Sequence, residues 1–273
     1  MEQSKLRKPA VAGQFYQSSA QGLKEQIESL IDNKAIKIDA IACMVPHAGY
    51  MYSGRVAGAT ISSINIKDKV ILLGPNHTGY GHAYSIMSEG SWQTPMGDVK
   101  IDTDVAKKII SNSRFLKDDS LAHLHEHSLE VELPFLQYFK TGLKIIPIAF
   151  LSDNIKILQE IGKEIAGTIK ELKLKDSFTI VASSDMTHYE PHDVAQKKDK
   201  LAIESILELN EEKLMRTIGE FNISMCGYAP VIAMLSLAKA LGAKNSKLIK
   251  YQTSGEVTGD FDSVVGYAGI IIY

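Results

Sequence analysis

Three short apolar runs constrain this chain more than any other feature: IACMVP (41–46), KVILLG (69–74) and FTIVASS (178–184). Each is rich in β-branched and aliphatic residues and gives way to small or turn-forming residues and then imidazole. Five of the eight histidines fall in these cassettes: His47, His77 with His82, and His188 with His192. Helical patterns alternate with the runs, at 21–33, 54–63, 104–112, 154–173, 193–209, 211–219 and 229–241. Further strands are expected at 144–150, 247–254 and 264–273. Shorter extended pieces lie at 83–88 and 98–102, with Thr94–Asp98 as the turn between them. The run 128–139 reads as helical despite Pro134, which makes Glu130 and Glu132 helix-surface acids. This alternation predicts one α/β domain over 1–273, a three-layer sandwich with a mostly parallel or mixed central sheet. Ligands of such sheets bind beyond the carboxyl ends of the strands, so histidines at three strand ends predict one convergent metal or acid–base site.

Composition removes several alternatives. A formal net charge of −2 and 23% charged residues give no electrostatic case for nucleic acid. The lysine-rich stretch QKKDKLAIE (196–204) also carries acids and reads as a solvated helix face. No apolar run reaches the ~18–20 residues of a membrane span, and the first residues lack the apolar core of a signal peptide. Two cysteines make no disulfide scaffold, so a cytoplasmic protein is expected.

His47 follows its strand in Pro46-His47-Ala48-Gly49, a sharp turn that presents the ring at the sheet edge. His77 follows Gly74-Pro75-Asn76, where Asn76 is placed to orient the ring or to bond a substrate. His82 reads as structural. In Ser183-Ser184-Asp185-Met186-Thr187-His188 the aspartate and histidine are spaced to meet on one helical turn, as a base and its orienter or as a metal ligand and its support. A serine nucleophile there would need a G-x-S-x-G elbow, which is missing. The run His123-Leu124-His125-Glu126-His127 is not the H-E-x-x-H zinc motif, and one of its histidines is expected to reach the site. Cys226 precedes the 229–241 helix, a setting that favours thiolate. The alternative is a buried thiol packed as a small apolar residue, which suits Cys43.

Taken in order, RKPAVAGQFY (7–16), PHAGYMYSG (46–54), LGPNHTGYG (73–81), WQTPMGD (92–98), EHSLEVELPFLQ (126–137), SSDMTHYE (183–190), MCGYAPV (225–231) and SGEVTGDFDSVVGYA (254–268) resemble the Memo family across nearly the whole chain. That family is similar in fold to the class III extradiol (LigB-type) non-haem iron dioxygenases. The resemblance implies a metal held by His47, His77 and Cys226. His188, oriented by Asp185, would move a proton, and Asn76, Glu126 and His127 would shape the substrate pocket. Two imidazoles and a thiolate are softer than the two-histidine, one-carboxylate triad of the dioxygenases. They favour copper(I), zinc or a thiolate-bound iron; iron is the expected metal, with copper or zinc as alternatives. The implied activity is oxidation of a small substrate. The rival readings are a non-catalytic module that binds a peptide in the same cleft, and a zinc-type hydrolase. Prokaryotic relatives imply an AMMECR-type protein and a radical-SAM protein as partners.

Overall fold

The computed structural model describes residues 5–273. In chain order the elements are β1 (Leu6–Arg7), α1 (Ala20–Leu30), β2 (Ala42–Val45), α2 (Tyr50–Ser62), β3 (Lys69–Pro75), β4 (Tyr84–Ile86), β5 (Ser91–Thr94), β6 (Gly97–Ile101) and α3 (Thr103–Asn112). Then come β7 (Lys117–Asp118), α4 (Leu133–Phe139), β8 (Lys144–Phe150), α5 (Ile155–Glu171), β9 (Phe178–Ser183), β10 (His188–Glu190) and α6 (His192–Leu207). The chain closes with α7 (Glu211–Glu220), α8 (Tyr228–Ala240), β11 (Ser246–Thr253), α9 (Gly255–Thr258) and β12 (Val264–Ile272).

The sheet is mixed, as expected. Strands β8, β3, β9 and β2 lie side by side and parallel, and β12 joins β2 antiparallel, with β11 and β10 paired to β12. Helices α1, α2 and α4 cover one face, while α5, α7 and α8 cover the other. The parallel strands read as continuous apolar runs because both of their faces are covered. Every residue of β2 and β9 is buried.

Helix α8 sits against the middle of the sheet, and its residues Ala229 to Ala238 are all buried. A helix that is apolar all round belongs in a core, and each Val, Ile or Leu it buries is worth roughly 1.5–3 kcal/mol. Helix α5 closes over it with Leu158, Ile161, Ile165 and Ile169 inward. The approach is close at Gly162, where an added Cβ would lie 2.5 Å from the Ala233 carbonyl oxygen.

Three expectations change. Helix α2 begins at Tyr50, directly behind the His47 turn, with Gly49 as its N-cap. Helix α4 occupies only the second half of 128–139, and Pro134 lies in its first turn, where its missing N–H costs nothing. The preceding residues form turns, and Glu130 and Glu132 are fully buried rather than surface acids. Their carboxyls serve distant partners, which a local helical pattern does not reveal. Finally, Asp185 and His188 do not share a helical turn, because the chain extends into β10.

Candidate metal centre

Strand order fixes the geometry of the site. β9 lies between β3 and β2, and the register pairs Leu73 with Ala182 and Val45 with Ser183. All three strands therefore end at one level, delivering His77, Asp185 and His47 to the same place. The fourth contribution comes from the loop before α8. Gly227 is packed so tightly that a Cβ would fall 2.3 Å from the Ser183 carbonyl oxygen. That contact sets Cys226 against the end of β9, where its sulfur accepts the Asp185 N–H at 3.3 Å.

His47 Nε2 lies 3.3 Å from Cys226 Sγ. One donor atom each from His47, His77 and Cys226 falls within 4.8 Å of the others. Metal–nitrogen and metal–sulfur bonds of about 2.0 and 2.3 Å at a tetrahedral angle put N and S roughly 3.5 Å apart, so His47 and Cys226 already stand at the spacing a metal needs, with a His77 nitrogen within 4.8 Å of both. A second group, His77, Glu126 and His127, also converges. However, Glu126 Oε1 accepts from both His77 Nδ1 at 2.9 Å and the Ser128 N–H at 2.9 Å. That carboxylate is committed to holding the ring and the loop, which leaves the group with Cys226 as the candidate cage.

His77, His47 and His188 are each gripped through Nδ1. Glu126, a carboxylate that only accepts, makes His77 an Nδ1–H donor and leaves Nε2 with its lone pair. His47 Nδ1 meets Ser183 Oγ at 2.7 Å. His188 Nδ1 lies 2.9 Å from the Ser224 carbonyl oxygen, so it too donates through Nδ1. Asp185 does not orient His188. Its Oδ1 accepts the His47 backbone N–H at 2.8 Å and so steadies the His47 turn.

Burial, with His77 and His127 nearby, lowers His47 well below the usual imidazole range. Burial also lowers His77, but Glu126 outweighs it and leaves that ring above its ordinary value. Glu126 itself is pushed up by burial, yet His77 and the Ser128 N–H hold it at about 2. Burial raises Asp185 to about 6 against the pull of the His47 N–H. Contrary to the helix-terminus expectation, burial and then Asp185 push the Cys226 thiol up, so this sulfur needs a cation to become thiolate.

The cage opens into a cleft of about 460 Å³. Gln14, Phe15, Tyr52, Tyr189 and Tyr267 line it together with His47, His77, His127, Asp185 and His188. Of the histidine-rich run, His127 reaches the cleft, stacked on His77 at 5.0 Å and edge-on to Phe15. His123 is buried against Trp92, and His125 is exposed. Asn76 does not line the cleft. Its Oδ1 accepts from Thr78 and Gly79 and its Nδ2 donates to the Tyr80 carbonyl, so the whole amide is committed to the turn that carries His77. Ser183 and Ser184 are fully buried and present no exposed nucleophile. Composition gave no signal for Gln14, Phe15 or Tyr267. Tyr189, at the rim, holds a left-handed φ of 58°, the sort of backbone strain that accumulates at functional sites.

A profile of the family described as Memo-like protein matches residues 7–271. A MEMO1 family protein of Methanocaldococcus jannaschii is 41% identical over 288 residues, with 98% of this chain and 99% of the relative covered. Another from Methanococcoides burtonii is 42% identical, covering 98% of this chain and all of the relative, and one from Pyrobaculum aerophilum is 40% identical at similar coverage. Among solved structures, an uncharacterized protein from Escherichia coli K12 superposes with a TM-score of 0.54 at 10% identity, covering 84% of this chain and 98% of its own. At that identity the likeness shows the fold alone. Among the described residues no helix is long and apolar enough to cross a membrane.

Proposed function

The chain belongs to the Memo family, and from that premise we propose that it is a metal-dependent redox protein, with iron or copper held by His47, His77 and Cys226 beside a cleft for a small organic substrate. The observation that carries this reading is the meeting of two imidazole nitrogens, from the ends of the parallel strands β2 and β3 on either side of β9, with one sulfur from the loop before α8. When bound, such an ion supplies Lewis acidity and an electron-transfer couple. The chain's own residues do the rest. Glu126 orients His77, and Asp185 holds the His47 turn through its backbone N–H. His188 lines the cleft with Nδ1 held by the Ser224 carbonyl, so its Nε2 is the nitrogen placed to take a proton from a bound hydroxyl or amine.

The walls also limit the substrate. Phe15, Tyr52, Tyr189 and Tyr267 offer aromatic faces, and no lysine or arginine is among the described residues lining the cleft. A phosphate or other fixed dianion would find no lysine or arginine there, whereas the aromatic faces suit a flat, largely uncharged molecule.

Elemental analysis of protein purified without oxygen tests the assignment. Near-stoichiometric iron or copper is expected, and His47→Ala and Cys226→Ser should each lose it while remaining folded. Unchanged metal content in both variants would defeat the site. Stoichiometric zinc, with no activity on adding iron or copper, would replace the redox reading with a hydrolytic one.

A further inference from the structure

Beneath His47 lies a polar cluster that none of the proposed ligand roles uses. Ser183 Oγ is fully buried and stands within hydrogen-bond distance of three groups: His47 Nδ1 at 2.7 Å, the Ser128 carbonyl oxygen at 2.8 Å and Glu132 Oε1 at 3.0 Å. Glu132 is itself 0% exposed, and its other oxygen, Oε2, has no partner among the described residues.

A hydroxyl has one proton to give and two lone pairs. The Ser128 carbonyl can only accept, so Ser183 satisfies it by donating there. The two remaining contacts must then be donated to Ser183. One comes from His47 Nδ1–H and the other from a protonated Glu132 carboxyl. This arrangement satisfies all three contacts without burying an unpaired charge. It also suits the solitary Oε2, since a neutral acid tolerates a dry, unpartnered carbonyl oxygen far better than a carboxylate would. Were Glu132 ionised, Ser183 would turn its proton to it and abandon Ser128, yet His47 would still have to donate through Nδ1. Only Ser183 donating to the ring would reverse the tautomer, and that would strand the Ser128 carbonyl.

We propose that Ser183 is a positioning residue that locks His47 as the Nδ1–H tautomer, with Glu132 acting as a neutral hydrogen-bond donor beneath it, so that Nε2 always faces Cys226 with its lone pair free. The inference rests on the metal reading for its purpose, but the tautomer is a property of the metal-free protein and is measured there. The two metal-ligand histidines are thereby fixed by different chemistry, His77 by an anion and His47 by a neutral relay. Glu132→Gln should accordingly be mild, because its amide N–H still donates to Ser183. A carboxylate that acted by charge would not survive that change.

The experiment is long-range ¹H–¹⁵N correlation of the histidine rings in metal-free protein, paired with cobalt(II) titration. Wild type should show His47 as Nδ1–H. Ser183→Ala should release the ring to a mixture of tautomers and weaken cobalt binding about 10- to 100-fold. Glu132→Gln should keep the tautomer and bind cobalt within about threefold of wild type. Glu132→Leu should behave like Ser183→Ala. An Nε2–H His47 in wild type, or an unchanged tautomer in Ser183→Ala, overturns the proposal. A Glu132→Gln loss as large as that of Ser183→Ala overturns the neutral-donor part. Nδ1–H rings in a wild type that takes up no metal would support the lock and count against the metal reading instead.

Discussion

Arg7 is the clearest place to test how the site loop is held. It is 1% exposed and makes four separate contacts. It pairs with the fully buried Glu130 carboxylate, and it donates from Nε to the His123 carbonyl at 3.0 Å and from its other terminal nitrogen to the Glu126 carbonyl at 2.5 Å. Its guanidinium also lies 4.4 Å from the Trp92 ring centroid. Replacing it with methionine keeps the volume but leaves Glu130 charged in a dry core with two orphaned carbonyls nearby. Breaking one side of a buried pair costs about 3–5 kcal/mol, and the carbonyl losses overlap with that figure instead of adding to it. Glu130 still accepts from Ala10 N–H, Val11 N–H and Tyr16 OH, which favours the middle of the range. A loss of about 4 kcal/mol corresponds to roughly 8–16 °C in Tm for a protein near this size. Urea unfolding of Arg7→Met beside wild type measures it. Arg7→Lys should recover little, since an ammonium cannot reach two carbonyls and a carboxylate from one planar fork. Arg7→Met/Glu130→Gln should lose less than the two single losses added together. A loss under about 1 kcal/mol for Arg7→Met, or full rescue by lysine, would refute the reasoning.

Three further outcomes are expected. Gly227→Ala changes no ligand, yet its Cβ would collide with the Ser183 carbonyl; it should weaken metal affinity measured by competition with a chelator, and wild-type affinity would show that Cys226 does not depend on this contact. His188→Gln should retain metal in elemental analysis while His77→Gln should not, because His188 serves the cleft and not the cage. His123, whose burial and nearby Arg7 lower its pKa to about 4, binds its proton more readily when unfolded, near 6.5. Its neutral form therefore contributes stability that is complete above about pH 6.5 and is lost as pH falls toward 4, up to roughly 3 kcal/mol. Urea unfolding of His123→Leu and wild type at pH 7 and pH 4.5 should show a shallower acid loss in the variant, and parallel losses would contradict it.

Much of the framework was legible because the decisive signals are local. Apolar runs ending in Pro-His or Pro-Asn-His mark parallel strands and their carboxyl ends, and those ends converge at one level. The part proposed for Cys226 was not legible in the same way, since periodicity leaves it balanced between ligand and core and only the family motifs imply a ligand. The missing elbow set Ser183 aside as a nucleophile, but no local pattern shows its place beneath the His47 ring. Glu130 and Glu132 read as surface acids because their partners stand far off in sequence, Arg7 123 positions from Glu130 and Ser183 51 positions from Glu132. Strands of two or three residues, such as β1 and β10, have no period to detect, yet β1 carries Arg7 and β10 carries His188.

X-ray absorption at the edge of the bound metal is the most direct test of the three-ligand cage. Wild type should show one sulfur scatterer at about 2.3 Å with imidazole nitrogens near 2.0 Å, and the sulfur shell should vanish in Cys226→Ser. A nitrogen- and oxygen-only shell in the wild-type protein would contradict the account.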